Sequence, residues 1–567
     1  MYFAHDPESD FYYMGSEPPD SYTYRKYLTD SKPMLIGADV ETISLKERIA
    51  IGVGIAVQPD ICFYFPLFPA ESSVVPWELL KDLDVVKVYH NGIFDLGCMT
   101  EYDIDTNIMD TNVMSRLLCH KFNGLAELSW IHNMEVHDVK EILDEYGAKI
   151  MLDLPRDVVA RKCMQDAGAT LKLYYEFLPQ TNLEYFHTEM QTIPIMLNMS
   201  ERGILIDHRV RMGLEIELQD EVERLTGLCD EAEAFNPGSP QQVSYVLAKR
   251  GAYGVFPRLP FTRNKYGRRT TNLSTAEEVL ERMDDPLAQI ILEYRRKAKL
   301  LSTYIRPWAE DTRAYTRYHL DAITGRPSST DRNMQNIPGA KSRLGINARA
   351  MFLPDAGIWT DLDFSQVELR ILAYQSQDRE MLHMYELDPI LPTGEKNEDA
   401  DIHQRTADFL GIDRKIAKNV NFAMIYGGTD QTIAETAHIR SVQRAGQLRN
   451  MWFELFPQAG DWIQTVQHEC HVTGRARTIF GRNMRLPTED EEGRDAIERK
   501  AVNYPIQGSA ADILKRALIR CKDMDVALQV HDELLIDGMH LQDGFRELEH
   551  IAPFHTPVEI KYLERWE

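Results

Sequence analysis

Paired cysteines are missing from this sequence. Its seven cysteines, Cys62, Cys98, Cys119, Cys163, Cys229, Cys470 and Cys521, are scattered singly, with no CxxC spacing. That argues against a disulfide framework or a zinc ribbon and for a reducing compartment, so the cytoplasm is the expected location. Long apolar runs are missing too. None reaches the roughly 18 residues of a membrane span, so no membrane partner is expected. The opening MYFAHDPESDFYYMGSEPPD is acidic and polar, without the basic start and apolar stretch of a secretory signal. There is no internal repeat. Positive charge is in deficit, with 63 Lys and Arg against 88 Asp and Glu, a formal net charge of −25. Read as a total, this points away from a polyanionic partner. Two local clusters run the other way: Arg295, Arg296, Lys297 and Lys299, then Arg475, Arg477, Arg482 and Arg485. A basic channel can sit inside an acidic shell, so the motifs must decide.

What is present is length and pattern. At roughly 100–200 residues per domain, 567 residues make three to five units. From about 33 to 90, MLIGADVET, RIAIGVGIAV, ICFYFPLF and VVKVYHNG read as strands, and helical patterns alternate with them to about 185. This half predicts an α/β domain on a mixed sheet. From about 186 to 305 the period is helical, interrupted by a polar stretch, RNKYGRRTTNLST, that reads as a loop. The segment 357–373 predicts a strand, IWTDLDF, passing into a helix. A second helical region follows over about 401–470. ALQVHDELLIDGM predicts a β-hairpin around His531, Asp532 and Glu533.

Two sets of carboxylates stand out. Phosphoryl transfer by paired divalent cations, about 3.5–4 Å apart, needs at least two rigidly placed carboxylates. Magnesium takes carboxylates, waters and substrate phosphates. Asp363 at a strand end and Asp532 on a hairpin are donors of the right type. In the first half, Asp39 and Glu41 alternate in IGADVET and therefore share one face of a strand. NGIFDLG supplies Asp95 and CMQDAGATLKLY supplies Asp166, so four carboxylates fall on an α/β scaffold. That suits a second, hydrolytic two-metal site.

The words around these residues carry a resemblance. DFSQVELRILAYQSQD at 363–378, RKIAKNVNFAMIYGG at 414–428 and QVHDELL at 529–535 resemble the three catalytic motifs of family A (Pol I-like) DNA polymerases. TGRPSSTDRNMQNIP at 324–338, DIHQRTA at 401–407 and NYPIQGSAADILKRA at 503–517 match flanking words, in family order. The resemblance runs over nearly the whole chain after about residue 30. It implies a multidomain α/β and α+β fold: an RNase H-like 3′–5′ exonuclease domain over 1–185, then a right-hand polymerase over 186–567. The thumb is expected at about 196–305, the palm at about 306–400 and 483–567, and the fingers at about 401–482. Cellular members carry a 5′-nuclease domain ahead of the exonuclease. The sequence leaves no room for one, so a compact bacteriophage-type member is expected.

Residue roles follow from the same resemblance. Asp363 and Asp532 would bind both metals, Mg2+ with Mn2+ as the alternative, with the Phe364 carbonyl as a further ligand. Glu533 and His531 would lie beside the primer end. Arg414 and Lys418, at i and i+4 on one helix face, would meet the incoming triphosphate, as would His403. Phe422 and Tyr426 extend that face and would stack on the nucleotide and the template base. Gln366 and Glu368 belong to the nucleotide site, Glu368 as the block against a ribose 2′-hydroxyl. Arg326, Gln335, Asn336, Arg499, Asn503 and Gln507 would contact DNA. Arg326 and Gln507 would test the minor-groove acceptors that every base pair shares.

For the first half the order resembles a DEDD proofreading exonuclease. Asp39, Glu41 and Asp166 would hold one metal and Asp95 would help with the other. Asp110 is expected as a supporting acid. One departure matters: the family's Tyr four residues before the last Asp is Lys162 here. A Lys ammonium has three donors and no acceptor. It could neutralise a phosphate or the crowded carboxylates, or point away while Tyr174 substitutes. An acidic insertion at about 386–400 is a second departure.

Primer-template DNA and dNTPs are the expected partners, with a helicase or single-strand binding protein as candidate replisome contacts. Two rivals remain. A single-subunit RNA polymerase shares the palm logic but lacks proofreading, and Glu368 argues against it. A dead DNA-binding accessory would not keep Asp363, Asp532 and Lys418 together.

Overall fold

The β-branched and aromatic runs of the first half form one seven-stranded sheet. A computed structural model describes all of residues 1–567 except 20–22, 45, 70, 103, 105–106, 233, 252–260, 264–268, 341, 343, 388–396 and 440. The strands are β1 (Tyr2–Asp6), β2 (Phe11–Gly15), β3 (Leu35–Thr42), β4 (Ala50–Gln58), β5 (Ile61–Pro66), β6 (Val86–Tyr89) and β7 (Ile108–Asp110), in the order β1-β2-β5-β4-β3-β6-β7. β3 pairs antiparallel with β4 and parallel with β6, so the sheet is mixed, as its sequence predicts. β5 is buried along its whole length, which explains an apolar run without alternation.

The Arg156–Phe177 helix packs across β3, β4 and β5. Glycines let it approach closely. A Cβ at Gly37 would meet the Ala167 carbonyl oxygen at 2.4 Å, and one at Gly54 would meet the Cys163 carbonyl oxygen at 2.8 Å. The face carrying Lys162 and Asp166 is thereby pressed onto the strand carrying Asp39 and Glu41.

Helices Leu183–Arg202, His208–Ala232, Pro240–Gly251 and Pro286–Lys299 follow, in keeping with the helical period. The stretch read as a loop departs from expectation. Its described part contains a strand, Arg269–Leu273, paired antiparallel with Phe261–Arg263. The β-branched pair Thr270 and Thr271 supplies the strand propensity that the Gly- and Arg-rich composition concealed. Residues 264–268 of that stretch, and 388–396 of the acidic insertion, lie outside the described residues.

In the C-terminal half, Trp359–Phe364 is one of the two inner strands of a four-stranded antiparallel sheet. Glu533–Asp537 lies on one side of it and Val558–Leu563 on the other, with Val526–Val530 outside Glu533–Asp537. The predicted strand-to-helix passage is observed, with the helix at Val367–Ser376. The predicted hairpin turns at His531 and Asp532. Helices Ile402–Leu410 and Arg414–Ile425 pack against each other. They are capped by Asp401, which accepts from the His403 and Gln404 amides, and by Asp413, which accepts from the Lys415 amide. Among the described residues no helix is long and apolar enough to cross a membrane.

The two basic clusters do not form a free basic face. Arg482 is buried on Glu189. Arg296 pairs with Glu277 and Glu281, Lys297 with Glu221 and Glu293, and Arg485 with Glu491. Much of the positive charge counted along the chain is thus internally compensated; Arg475 and Arg477 remain exposed.

Candidate active sites

The C-terminal site is built where the hairpin meets the Trp359–Phe364 strand. Asp363 lies directly across from Glu533, and the Phe364 amide donates to the Asp532 carbonyl at 3.2 Å. Strand alternation puts Asp361, Asp363, Glu533 and Glu559 on one face. Two residues beside the acids hold left-handed backbone, Gln366 at φ 52° and His531 at φ 53°, a region that costs non-glycine residues energy and clusters at functional sites. Burial pushes the Asp532 carboxyl up from its ordinary value, with Glu368 and Glu533 adding to it, although its rim reaches solvent. Burial and Glu533 push Asp361 up to about 7. Crowded carboxylates of this kind, on hard oxygen donors, fit divalent cations.

Neighbouring cations here are already engaged by glutamates. Arg326 donates to Glu368 Oε1 at 2.5 Å, while the Tyr426 hydroxyl donates to Glu368 Oε2 at 2.9 Å. Glu368, on the Val367–Ser376 helix, therefore ties the end of the Arg414–Ile425 helix to that helix and to the segment carrying Arg326. Arg349 donates to Glu533 Oε2 at 3.2 Å, and the Trp566 indole donates to Glu533 Oε1 at 2.7 Å. Arg349 also stacks on the Trp566 ring. Arg349, Trp566 and Asp361 were not singled out from the sequence, because nothing local to them signals a site.

The helix face at Arg414, Lys418 and Phe422 is as expected, with Tyr426 just past the helix end. Lys418 is exposed, with no carboxylate in ion-pair reach among the described residues. Arg414 is held by Asp401 at 2.7 Å. His403 is buried, and burial together with Arg414 and Lys418 lowers it to about 4, so it is neutral near pH 7. Its tautomer is readable. The Trp452 indole can only donate, and it donates to Asn421 Oδ1 at 2.8 Å. Asn421 Nδ2 therefore faces His403 Nδ1, at 3.0 Å, and donates to it. The His403 proton sits on Nε2.

The DNA-contact candidates divide. Asn336 is exposed, and Asn503 and Gln507 are half-buried one turn apart on the Arg494–Arg520 helix. Arg499, one turn earlier, lines a cavity of about 250 Å³ with Gly427, Gly428 and Phe453. Gln335 is buried; its amide donates to the Gln529 side chain at 3.0 Å and so braces the hairpin strand from behind.

The N-terminal site gathers its four acids from three elements. Asp39 and Glu41 come from β3, Asp95 from the helix Gly92–Gly97, and Asp166 from the Arg156–Phe177 helix. Asp95 Oδ1 accepts from the Val40 amide at 3.0 Å. Lys162 points into the site. Its ammonium donates to Glu41 Oε1 at 2.7 Å and to Asp166 Oδ2 at 2.6 Å. Burial pushes Asp39 and Asp95 well above the ordinary range, and Asp166 up to about 6. Burial pulls the Lys162 ammonium down, but Asp166, Glu41 and Asp39 outweigh it and hold the charge on. Asp110 is a brace, accepting the amides of Asn91, Gly92, Asn112 and Val113. Tyr174 packs edge-on against Tyr175.

The family model for DNA polymerase family A matches residues 209–543. The chain belongs to DNA polymerase family A. Curated relatives include the thermostable DNA polymerase I of Thermus filiformis, 33% identical over 66% of this chain and 47% of its own length. The DNA polymerase I of Synechocystis is 29% identical over 88% of this chain and 55% of its own. The chain thus spans about half the length of the curated family A relatives it matches. Among solved structures, the POL domain of Pol1 from M. smegmatis, in complex with DNA primer-template and dNTP, matches 97% of this chain and 99% of that one. Its TM-score is 0.75 at 23% identity, which is a likeness of fold.

Proposed function

We propose that this family A chain extends a DNA primer along a template, with Asp363 and Asp532 as the catalytic carboxylates. The observation that carries this reading is their placement side by side through the Phe364–Asp532 backbone contact. The palm would be about 306–400 and 483–567, around the four-stranded sheet, the fingers about 401–482 and the thumb about 196–305. Two divalent cations, Mg2+ or Mn2+, held by Asp363, Asp532 and the Phe364 carbonyl, would activate the primer 3′-hydroxyl and neutralise the departing pyrophosphate.

This chain's own residues do the rest. Lys418 and Arg414 bind the triphosphate, and neutral His403 donates to it through Nε2–H. Phe422 and Tyr426 stack on the nucleotide and template. Glu368, fixed by Arg326 and Tyr426, crowds the sugar edge and disfavours a 2′-hydroxyl. Glu533, held by Arg349 and Trp566, stays beside the primer end. Arg326, Gln507 and their neighbours read the shape of the minor groove.

The N-terminal acids support a second activity, hydrolysis of a mispaired 3′ end. The tests are primer extension on a labelled template with matched and mismatched 3′ ends, supplied with dNTPs or NTPs. Template-dependent extension with dNTPs, and removal of the mismatch before extension, are the expected results. Preference for NTPs would favour RNA synthesis. Binding without extension would leave only a DNA-binding role.

A further inference from the structure

The N-terminal site does not offer its acids freely to two divalent ions. Glu41 Oε1 and Asp166 Oδ2 are bridged by the Lys162 ammonium at 2.7 and 2.6 Å, the distances of strong charge-assisted hydrogen bonds. Lys162 is 7% exposed, so its ammonium is not a solvated group resting on the rim. It cannot easily withdraw. It stands four residues from Asp166 on the same helix, and that helix is seated on β3 and β4 through the glycine contacts at Gly37 and Gly54. Among the described residues no other lysine or arginine pairs with Asp39, Glu41, Asp95 or Asp166. Nearby Arg156 reaches Asp10, and Arg161 lies over the Phe3 ring.

We propose that Lys162 is a built-in cation standing where one divalent ion would sit, so that this site takes up one divalent ion instead of two. The proposal rests on reading the site as hydrolytic. Charge supports one ion and not none: Asp39, Glu41 and Asp166 surround a single ammonium, with Asp95 beside Asp39. Unused donors support it as well. Asp166 is 7% exposed, yet its Oδ1 has no partner, and neither does the buried Asp39 Oδ2. These buried oxygens are unbonded, and ligand atoms of Asp39 and Glu41 lie within metal-sharing distance of each other. An ammonium supplies charge and three donors but no Lewis-acid position for water. Lys162 thus neutralises and orients, while activation of water falls to the single ion.

The test counts ions directly. The full chain carrying Asp363→Asn and Asp532→Asn, which silences the C-terminal site, is titrated with Mn2+ in the presence of dTMP. Bound Mn2+ is read by electron paramagnetic resonance. One ion is expected with Lys162 present, and two with Lys162→Met. In EDTA, Lys162→Met should melt lower than its parent and regain its melting temperature on adding Mn2+, whereas the parent should shift less. Two ions, or none, bound with Lys162 present overturns the proposal. None in either protein overturns the hydrolytic reading itself. If Lys162→Met does not fold, the count on the Lys162 protein alone decides, and Lys162→Tyr replaces the variant.

Discussion

The two carboxylate sites use the same residue type on similar frames, a strand with an acid at its end and partners from neighbouring elements. They differ in what neutralises the charge. In the N-terminal site a lysine from the packed helix reaches the acids themselves and bridges Glu41 to Asp166. In the C-terminal site the nearby arginines are turned aside: Arg326 is held by Glu368 and Arg349 by Glu533. Asp532 has no ion-pair partner among the described residues, and its carboxyl is pushed up. A site that holds its arginine cations on neighbouring glutamates leaves room beside an acid such as Asp532 for external metal. A site that places a cation between its acids has used part of that room. A third cluster shows the limit of the trend. Glu189, 1% exposed, is bonded by Lys515 at 2.6 Å, by Arg482 at 2.7 Å and by the Tyr185 hydroxyl at 2.9 Å.

The largest effect should come from the open site. Asp532→Asn should reduce primer extension by about 10³-fold or more, in line with losing a group at a centre of developing charge. Cleavage of single-stranded DNA by the same protein should be unchanged. Loss of both activities would show that the sites are not separate.

The closed cluster should respond in stability. Glu189→Gln leaves Lys515 and Arg482 buried without the carboxylate that bonds both, with only Asp512 nearby. Breaking a buried pair in this way costs about 3–5 kcal/mol, readable by urea unfolding. A loss under about 1 kcal/mol would mean that water reaches the cluster.

His403 makes the comparison pH-dependent. Its folded value, lowered to about 4, lies below the unfolded value near 6.5. The folded state therefore resists protonation, and stability is lost as pH falls from about 6.5 towards 4. By pH 5 the loss should be about 2 kcal/mol relative to pH 7.5. His403→Gln should remove that part of the acid sensitivity. Identical acid profiles for the two proteins would show that His403 is not held neutral.

The smallest effect concerns sugar choice. Glu368→Ala removes the group fixed by Arg326 and Tyr426 and should raise ribonucleotide incorporation on the order of tenfold. Competing dNTP and NTP in primer extension measures it, and an unchanged ratio would place the gate elsewhere.

Much of this was determined by the sequence alone. Strand alternation puts Asp39 with Glu41, helical spacing puts Lys162 with Asp166 and Arg414 with Lys418, and these are local geometry that needs no fold. The strand before Val367, the hairpin around Asp532 and the mixed sheet follow from apolar period and turn position for the same reason. The polymerase words carried the family, because their residues and order are dense enough to be specific.

Tertiary structure decided which charges meet across distant segments. The sequence leaves open whether Lys162 points in or away; packing of its helix onto β3 sends it inward. The basic clusters looked like a nucleic-acid face, yet Arg482 meets Glu189 across 293 residues and ends buried. Trp566 and Arg349 clamp Glu533, and Trp452 sets the tautomer of His403 through Asn421. Contacts of this kind depend on side chains brought together by packing, so no local period or motif in the chain announces them.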